Sequence, residues 1–264
     1  MIAVKSIFLL LLIVTGVALG AETGCPQHYL GGAAPDVGNP KLAALAREVC
    51  YQAYGLQHSG ITRTALWSAE HLTRNHVLES KGLHRRNDFH PDEHIPYNER
   101  AELADYARSG FDRGHMTPSG DAFSENAQAE TFSLANMVPQ AGRLNRGAWE
   151  ALESVTRDLA IRRGDLYVIT GPLFQGISLQ RLHGRVLVPT KIWKAIYVPS
   201  LNQGGAWIAE NTDDAKPRTM SIAALEREVG LNLFPKLDAR TKTYLMDMPE
   251  AKAYRRNYTR RQHH

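Results

Sequence analysis

Cysteine is scarce in this sequence: Cys25 and Cys50 are the only two among 264 residues. They lie far apart and no Cys-x-x-Cys pair occurs, which argues against the compact cysteine spacing of structural zinc sites. Two thiols and no more favour one structural disulfide, provided that the protein matures in an oxidising compartment.

Long apolar runs, internal repeats and low-complexity tracts are missing beyond residue 20. A membrane-spanning helix needs about 20 predominantly apolar residues, and no later stretch approaches that length. Hydrophobic residues make up 43% of the chain, with ordinary amounts of glycine and proline, which is typical of a globular protein. We therefore expect a soluble mature chain that does not enter a membrane.

Residues 1–20 are typical of a secretory signal peptide. Lys5 supplies a positive charge, residues 7–14 are apolar, and Ala18-Leu19-Gly20 offers small residues at a cleavage site. A membrane anchor is the alternative interpretation. Export predicts a secreted or periplasmic protein, and with it a Cys25–Cys50 disulfide that ties the N-terminal segment to a helix carrying Cys50.

The excess of positive charge is small, with a formal net charge of +4 and an isoelectric point near 9.1. This balance is compatible with a polyanionic partner but does not require one. Much of the excess lies in a basic tail at about residues 250–264, which contains Lys252, Arg255, Arg256, Arg260 and Arg261. A solvated tail without a partner is an equally good interpretation.

Helical and alternating patterns follow each other without a linker, which predicts one mixed α+β domain over residues 21–264. The predicted helices cover residues 41–53, 100–109, 145–162 and 220–229, the last with a cap at Thr219 or Ser221. Strands are predicted over residues 62–72, 165–171, 186–198 and 206–209. Residues 110–116 and 131–137 are expected to be extended pieces, and residues 85–96 a loop.

The tetrapeptide Asp112-Arg113-Gly114-His115 places an imidazole next to a guanidinium. Two cations in contact waste electrostatic energy unless an anion lies between them. Histidine is the usual general base near neutral pH. A lone histidine in a strand is more often structural, so this interpretation depends on the residues that accompany it.

A helix beginning near Asn145 would carry Asn145, Trp149, Glu153 and Arg157 at intervals of four, on one side. This face has an ordinary explanation, a solvated surface with a Glu153–Arg157 pair. However, Asn145 would stand at the N-terminal end, where the helix dipole favours phosphate. An amide oxygen there can also ligate Mg²⁺, which takes few protein ligands and keeps most of its waters.

Five ordered elements now stand together: Asp112 to His115, Ala135-Asn136, Pro139-Gln140, Leu144-Asn145 with Gly147 and Trp149, and Glu153. In this order the segment resembles the sugar-non-specific DNA/RNA endonuclease family, whose active site is a ββα-metal motif. The resemblance extends more faintly from about Cys50 to Leu237. It implies an α+β fold with a mixed, mainly antiparallel sheet flanked by helices and the active-site motif embedded in it.

The resemblance also implies roles for single residues. His115 would be the general base that takes a proton from the attacking water, and Asn145 the only direct protein ligand of Mg²⁺, with Mn²⁺ as an alternative metal. Glu153 would hold metal-bound waters. Asp112 would support the loop rather than bind metal.

Three arginines would grip the phosphate in such an enzyme: Arg63, Arg113 and Arg157. Asn136 would orient the histidine or bind near the phosphate. The substrates would be DNA and RNA, cut to leave 5′-phosphate ends, because the site addresses the backbone and not the bases. A homodimer is compatible with the sequence and is not required by it.

Two hydrolase alternatives fit the residues less well. His90 and His94 are four residues apart with acids between them, but Pro91 disrupts the helix that would direct both at one zinc ion. A serine hydrolase lacks its Gly-x-Ser-x-Gly motif. A protein that binds nucleic acid without cutting it is the alternative from a different class, and His115, Asn145 and Glu153 argue against it.

Overall fold

The computed structural model describes residues 23–38 and 43–250. The predicted signal peptide and nearly all of the basic tail lie outside the described residues. The strands are β1 (Asp36–Val37), β2 (Ala46–Cys50), β3 (Gly55–Ser59), β4 (Thr64–Thr73), β5 (Asp112–His115), β6 (Met137–Gln140), β7 (Asp165–Leu173), β8 (Arg181–Leu182), β9 (Val186–Leu187), β10 (Lys191–Val198), β11 (Gln203–Glu210), β12 (Arg218–Met220) and β13 (Leu231–Asn232).

The helices are mostly short. They are α1 (Arg74–Ser80), α2 (Leu103–Tyr106), α3 (Glu125–Thr131), α4 (Gly142–Leu144), α5 (Glu150–Arg163), α6 (Ile222–Val229) and α7 (Ala239–Thr243), with a π-helical segment (Asn145–Trp149) between α4 and α5. No described helix is long and apolar enough to cross a bilayer.

A seven-stranded sheet in the order β12-β11-β10-β7-β4-β3-β2 forms the centre, and every neighbouring pair in it is antiparallel. The central strands β4, β7 and β10 are buried along most of their length, as expected for strands covered on both faces. The predicted α+β class with a mainly antiparallel sheet is confirmed.

Each face of this sheet carries its own hydrophobic core. On one face, Trp67, Trp193 and Ile208 pack with Ile222 and Leu225 of α6. On the other face, Val168 and Ile192 pack with Leu152 and Leu159 of α5 and with Trp149. The second core supports the segment singled out from the sequence.

The helix predicted over residues 41–53 is wrong from residue 44 onward. Residues 46–50 form β2, which pairs with β3 from Ala46 opposite Ser59 to Cys50 opposite Gly55. A tight turn closes this hairpin, with Tyr51 N donating to Tyr54 O at 2.8 Å. Pairing at the sheet edge overrides the local helical pattern.

The Cys25–Cys50 disulfide is present, with the two Cα atoms 5.7 Å apart. It joins the N-terminal segment to strand β2 rather than to a helix. Beside it, the Tyr29 ring packs edge-on against Trp67 with 5.7 Å between ring centroids.

The other predicted elements differ mainly at their ends. Strand β7 and helix α6 lie where expected, and Ser221 caps α6 by accepting a hydrogen bond from Ala224 N at 3.2 Å. The helix predicted over residues 100–109 shortens to α2, which begins with a capping box between Glu102 and Asp105. Residues 131–137 are not one extended piece, because they contain the end of α3 and a 3₁₀ turn before β6 begins.

Candidate active site

Strands β5 and β6 form a separate antiparallel pair, with Asp112 opposite Gln140 and His115 opposite Met137. The chain then enters α4, the π-helical segment and α5, which gives the order strand, strand, helix. A cleft of about 810 Å³ opens between β5, α2 and the start of this long helix. Five of the seven predicted site residues line it: Arg113, His115, Asn145, Glu153 and Arg157.

His115 ends β5 and is only 9% exposed. Its ring lies between Phe89 and Phe132, with centroid distances of 5.7 and 5.1 Å. Nε2 is buried and has no hydrogen-bond partner among the described residues, and His115 is one of the residues that line the cleft. Burial, reinforced by the positive charges of Arg85 and Arg113, lowers the pKa of His115 to about 3. The free imidazole is therefore neutral at neutral pH, but the low pKa also makes it a weak proton acceptor while the two positive charges face it alone.

The neighbouring strand β6 requires a glycine at position 114. A Cβ atom at this position would collide with the side chain of Gln140, which crosses over β5 from β6. The absence of a side chain thus leaves room for the Gln140 side chain against the backbone of β5.

Asn136 does not line the cleft. Its amide is completely used inside the protein: Nδ2 donates to Thr117 O at 2.8 Å and to Thr131 O at 2.9 Å, and Oδ1 accepts from Thr117 N at 2.9 Å. No donor of this side chain remains for a phosphate. Asn136 instead fixes the backbone just after His115, which supports the orienting role and not the phosphate-binding one.

Asn145 begins the π-helical segment, an irregularity that is often found at functional sites. Its Nδ2 donates to Asp112 Oδ2 at 3.0 Å, while Arg146 Nη1 donates to Asp112 Oδ1 at 2.9 Å. No described residue donates to Asn145 Oδ1. Asp112 therefore holds the amide so that its oxygen stays available, as a hard cation requires.

Glu153 and Arg157 lie one turn apart on α5 but do not form an ion pair. Arg157 Nη1 donates to Asp121 Oδ1 at 2.8 Å, and no described residue hydrogen-bonds to the Glu153 carboxyl. Burial raises the pKa of Glu153 to about 7, although the positive charges of Arg157 and Lys194 oppose this shift. An unpaired carboxyl and a free amide oxygen in one cleft are the donor set that suits Mg²⁺.

A buried group of charges supports this side of the cleft, and sequence reasoning missed it. Glu70 on β4, Asp121 and Lys194 on β10 are each at most 2% exposed. Lys194 Nζ donates to Thr170 Oγ1 at 2.6 Å. Burial raises the pKa of Glu70, and the nearby charge of Asp121 raises it further. The available signal was a charged residue inside each of two apolar strand sequences, ALWSAEHL and KIWKAIYV.

Arg85 is a second omission. It comes from the predicted loop at residues 85–96, which bonds to the segment after α3 through His90 N to Phe132 O at 3.2 Å. This attachment brings Arg85 into the cleft, where Nη1 donates to Ser119 Oγ at 2.9 Å. Arg113 lies over the Phe89 ring, 4.0 Å from its centroid. Neither arginine forms an ion pair with a described residue.

Arg63 lies elsewhere. It does not line the cleft, and its Nη2 donates to the backbone oxygen of Asn98 at 2.8 Å. The geometry gives no support to a role for Arg63 at the reacting phosphate. Arg85, and not Arg63, lines the cleft together with Arg113 and Arg157.

The residues considered for a zinc hydrolase do not converge. His90 Nδ1 lies 2.9 Å from Asp88 O, and His94 Nδ1 lies 2.9 Å from Asp92 Oδ1. Within residues 23–38 and 43–250, the only close group of three metal-binding side chains is Cys25, Glu48 and Cys50. Two of its three ligands are already joined in the disulfide.

Comparison with known proteins agrees with this geometry. Residues 36–240 match the family described as DNA/RNA non-specific endonuclease. Nuclease C1 of Cunninghamella echinulata var. echinulata is 38% identical over 210 residues, which cover 72% of this chain and 83% of that protein. Human mitochondrial endonuclease G is 34% identical over 220 residues, covering 75% and 73%.

A solved structure shows the same fold. The crystal structure of an EndoG/EndoGI complex, whose title concerns EndoG inhibition, contains a chain that superposes with a TM-score of 0.69 at 29% identity. The match covers 78% of this chain and 92% of the other.

Proposed function

This chain belongs to the DNA/RNA non-specific endonuclease family, and on that premise we propose a secreted, Mg²⁺-dependent endonuclease that cuts DNA and RNA and leaves 5′-phosphate ends. The observation that carries the proposal is the pairing of a neutral, buried His115 with an unpaired Asn145 oxygen in one cleft. A base and a metal ligand so placed suit hydrolysis of a phosphodiester, whereas binding alone needs only cations.

His115 acts as the base in this proposal. Nδ1 takes a proton from the water that attacks the phosphorus atom. The phosphate anion, once bound beside the ring, offsets the charges of Arg85 and Arg113 and raises the pKa of His115 from its low value in the free enzyme. The base therefore becomes stronger when substrate is present.

The arginines bind the phosphate. Arg113 and Arg85, without carboxylate partners, supply donors for the non-bridging oxygens, and Arg157 supplies a third cation held in place by Asp121. Asn145 Oδ1 would hold Mg²⁺, and Glu153 would accept hydrogen bonds from its waters. When bound, the metal supplies positive charge that stabilises the departing 3′ oxygen.

Cleavage of supercoiled plasmid and of single-stranded RNA by the chain from Ala21 onward tests the activity. Both substrates should disappear with Mg²⁺ and survive with EDTA. His115→Ala should lose about 10²–10⁴-fold in rate. His94→Ala is the matched control, because this exposed histidine is also a ligand of the rejected zinc site; its activity should be unchanged.

The alternative is a catalytically silent protein that binds nucleic acid through the same cleft. Plasmid that is retarded in a gel but uncut by folded wild-type protein, with either Mg²⁺ or Mn²⁺, would establish this alternative. Cleavage with Mn²⁺ but not with Mg²⁺ would support the endonuclease activity and identify Mn²⁺ as the metal that it needs.

Secretion is a separate part of the proposal and rests on residues 1–20. The curated relatives include proteins named as mitochondrial, so the two destinations must be distinguished. N-terminal sequencing of the protein from its native cells should begin at Ala21, and the activity should appear in the periplasm or medium. An N-terminus at Met1 would contradict export by a cleaved signal peptide.

A further inference from the structure

Four arginines and one exposed tyrosine gather where α2 faces the β8–β9 hairpin. They are Arg63, Tyr97, Arg100, Arg181 and Arg185, and we call them the arginine surface. We propose that this surface binds a stretch of the polynucleotide substrate that extends beyond the cleft. The inference rests on the proposed function and adds a second binding region to it.

Direct contacts bring these side chains together. Arg185 Nη2 donates to Arg100 O at 3.2 Å, and Arg181 Nη1 donates to Arg185 O at 3.1 Å. Arg63 is held at the same place by its bond to Asn98 O, next to Tyr97. The guanidinium groups therefore converge although they come from three distant parts of the chain.

The negative charges nearby neutralise only part of this group. Arg185 pairs with Asp105 at 2.8 Å and Arg100 with Glu102 at 2.7 Å. Arg63 and Arg181 form no ion pair with a described residue, and Arg63 Nη1 is buried without a hydrogen-bond partner. Burial lowers the pKa of Arg63, and the charges of Arg185 and Arg181 lower it further. Like charges held together in this way favour an anion between them.

Tyr97 adds a stacking surface. Its side chain is 66% exposed, although the Cζ atoms of Arg100 and Arg185 each lie 5.8 Å from its ring centroid. An exposed aromatic ring flanked by guanidinium groups is the combination that single-stranded nucleic acids bind, with a base on the ring and phosphates on the cations.

The arginine surface is connected to the cleft through α2. Tyr106, Ala107 and Arg108 line the cleft, while the adjacent Asp105 holds Arg185. On the same side, His183 Nε2 lies 3.1 Å from Ala107 O. Arg108, two residues after the end of α2, is exposed and lines the cleft, so this short segment supplies a cation to the cleft and, through Asp105, a partner for Arg185.

Backbone strain marks the same region. Among the described residues, five that are not glycine have a positive φ, and three of these are Arg63 (60°), Arg108 (54°) and His183 (46°). Such conformations are strained for residues other than glycine and tend to persist at functional positions. Two of the three present arginine side chains along the proposed path of the strand.

A merely structural role is the competing explanation, and it applies best to Arg185 and Arg100, which brace α2. The test therefore leaves these two intact and changes Arg63→Gln together with Arg181→Gln. The control is Arg227→Gln with Arg240→Gln, which removes the same charge from exposed positions on α6 and α7. A circular dichroism melt establishes that both double variants fold.

Two single-stranded DNA substrates distinguish the cleft from the arginine surface. One is short enough to fit the cleft, and the other is long enough to extend beyond it. The Arg63/Arg181 variant should raise KM for the long strand about tenfold, with kcat and the short strand unchanged. The slope of log K against log salt concentration should become shallower by about 0.7 per lost phosphate contact. The control should behave as wild type. An equal KM for the long strand in variant and wild type would overturn the proposal.

Tyr97 gives an independent readout. Tyr97→Ser should raise KM for the long strand. Tyr97→Phe, which keeps the ring, should have the same KM as wild type. Fluorescence anisotropy of the long strand in EDTA measures binding without cleavage. If wild-type protein cuts nothing but the Arg63/Arg181 variant binds the long strand more weakly than wild type, this inference stands and the proposed activity fails. If wild-type protein is active but the Arg63/Arg181 variant binds the long strand as tightly as wild type, the activity stands and this inference fails.

Discussion

Arg157 is bound by Asp121 and not by Glu153: Nη1 of the arginine donates to Asp121 Oδ1 at 2.8 Å, and the Asp121 side chain is 1% exposed. Asp121, in the short segment after β5, thus contacts α5 and fixes the Arg157 guanidinium in the cleft. Glu153, one helical turn away, is left free for other partners. The Asp121 carboxylate therefore leaves the two residues separate for the roles that we propose for them, phosphate binding by Arg157 and binding of metal-bound water by Glu153.

Asp121→Asn should reduce kcat by at least about tenfold, because an amide holds the guanidinium more weakly and leaves a buried charge unbalanced. Folding should weaken by about 2–4 kcal/mol. Steady-state kinetics and a denaturant melt measure the two effects. Asp158→Asn on the exposed side of the same helix is the matched control. A full kcat in Asp121→Asn would show that Arg157 does not depend on this partner.

Gly114→Ala should inactivate the enzyme and lower its melting temperature, because the new methyl group collides with Gln140. The collision predicts a specific rescue. Gly114→Ala combined with Gln140→Gly removes the obstructing side chain and should recover part of the lost stability and activity, a coupling that additive effects would not give. If the double variant is worse than the sum of the single variants, the close approach is not the reason for the glycine.

Asn145→Ala should remove the amide oxygen that we propose as the only direct protein ligand of the metal. We expect a loss of about 10²-fold or more in rate at ordinary Mg²⁺ concentrations and a higher Mg²⁺ concentration for half-maximal activity. Titration of activity with Mg²⁺ measures both. Asn75→Ala, on the exposed side of α1, should leave the titration unchanged. An unaltered Mg²⁺ dependence in Asn145→Ala would mean that other residues hold the metal.

The sequence pattern predicted the elements whose hydrophobic periodicity and capping residues lie within the element itself. The residues that form β7, the amphipathic face of α6 and its Ser221 cap depend on neighbours a few positions away. The segment at residues 41–53 was mispredicted because β2 depends on its pairing with β3. A helical pattern does not reveal which partner strand lies beside it.

The same distinction applies to the site. His115, Asn145 and Glu153 stand in short motifs, and the structure brings them to one cleft. Arg85 reaches that cleft beside Phe132, and Asp121 lies buried behind it, bonded to Arg157. Each partner is more than thirty positions away in sequence, so no spacing rule predicts these contacts. Arg63 shows the converse case, since the structure places this predicted phosphate-binding residue outside the cleft, in the turn before β4.

Glu153 predicts an unusual dependence of stability on pH. Its pKa is about 7 in the folded protein, above the value of 4.5 for an exposed glutamate. The folded state therefore binds this proton more tightly than the unfolded state. The resulting stability is fully present below pH 4.5 and is lost as the pH rises through 7.

Glu153→Gln carries no titrating group, so in the absence of metal it should be more stable than wild type at pH 8, by about 2 kcal/mol. The advantage should shrink as the pH falls to 5, where the wild-type carboxyl is protonated. Urea melts in EDTA at both pH values measure the difference. Asp158→Asn, at an exposed position on the same helix, should show no such trend. An advantage that is equal at pH 5 and pH 8 would mean that Glu153 is already ionised in the folded protein, and that its carboxylate is stabilised by Arg157 more than burial destabilises it.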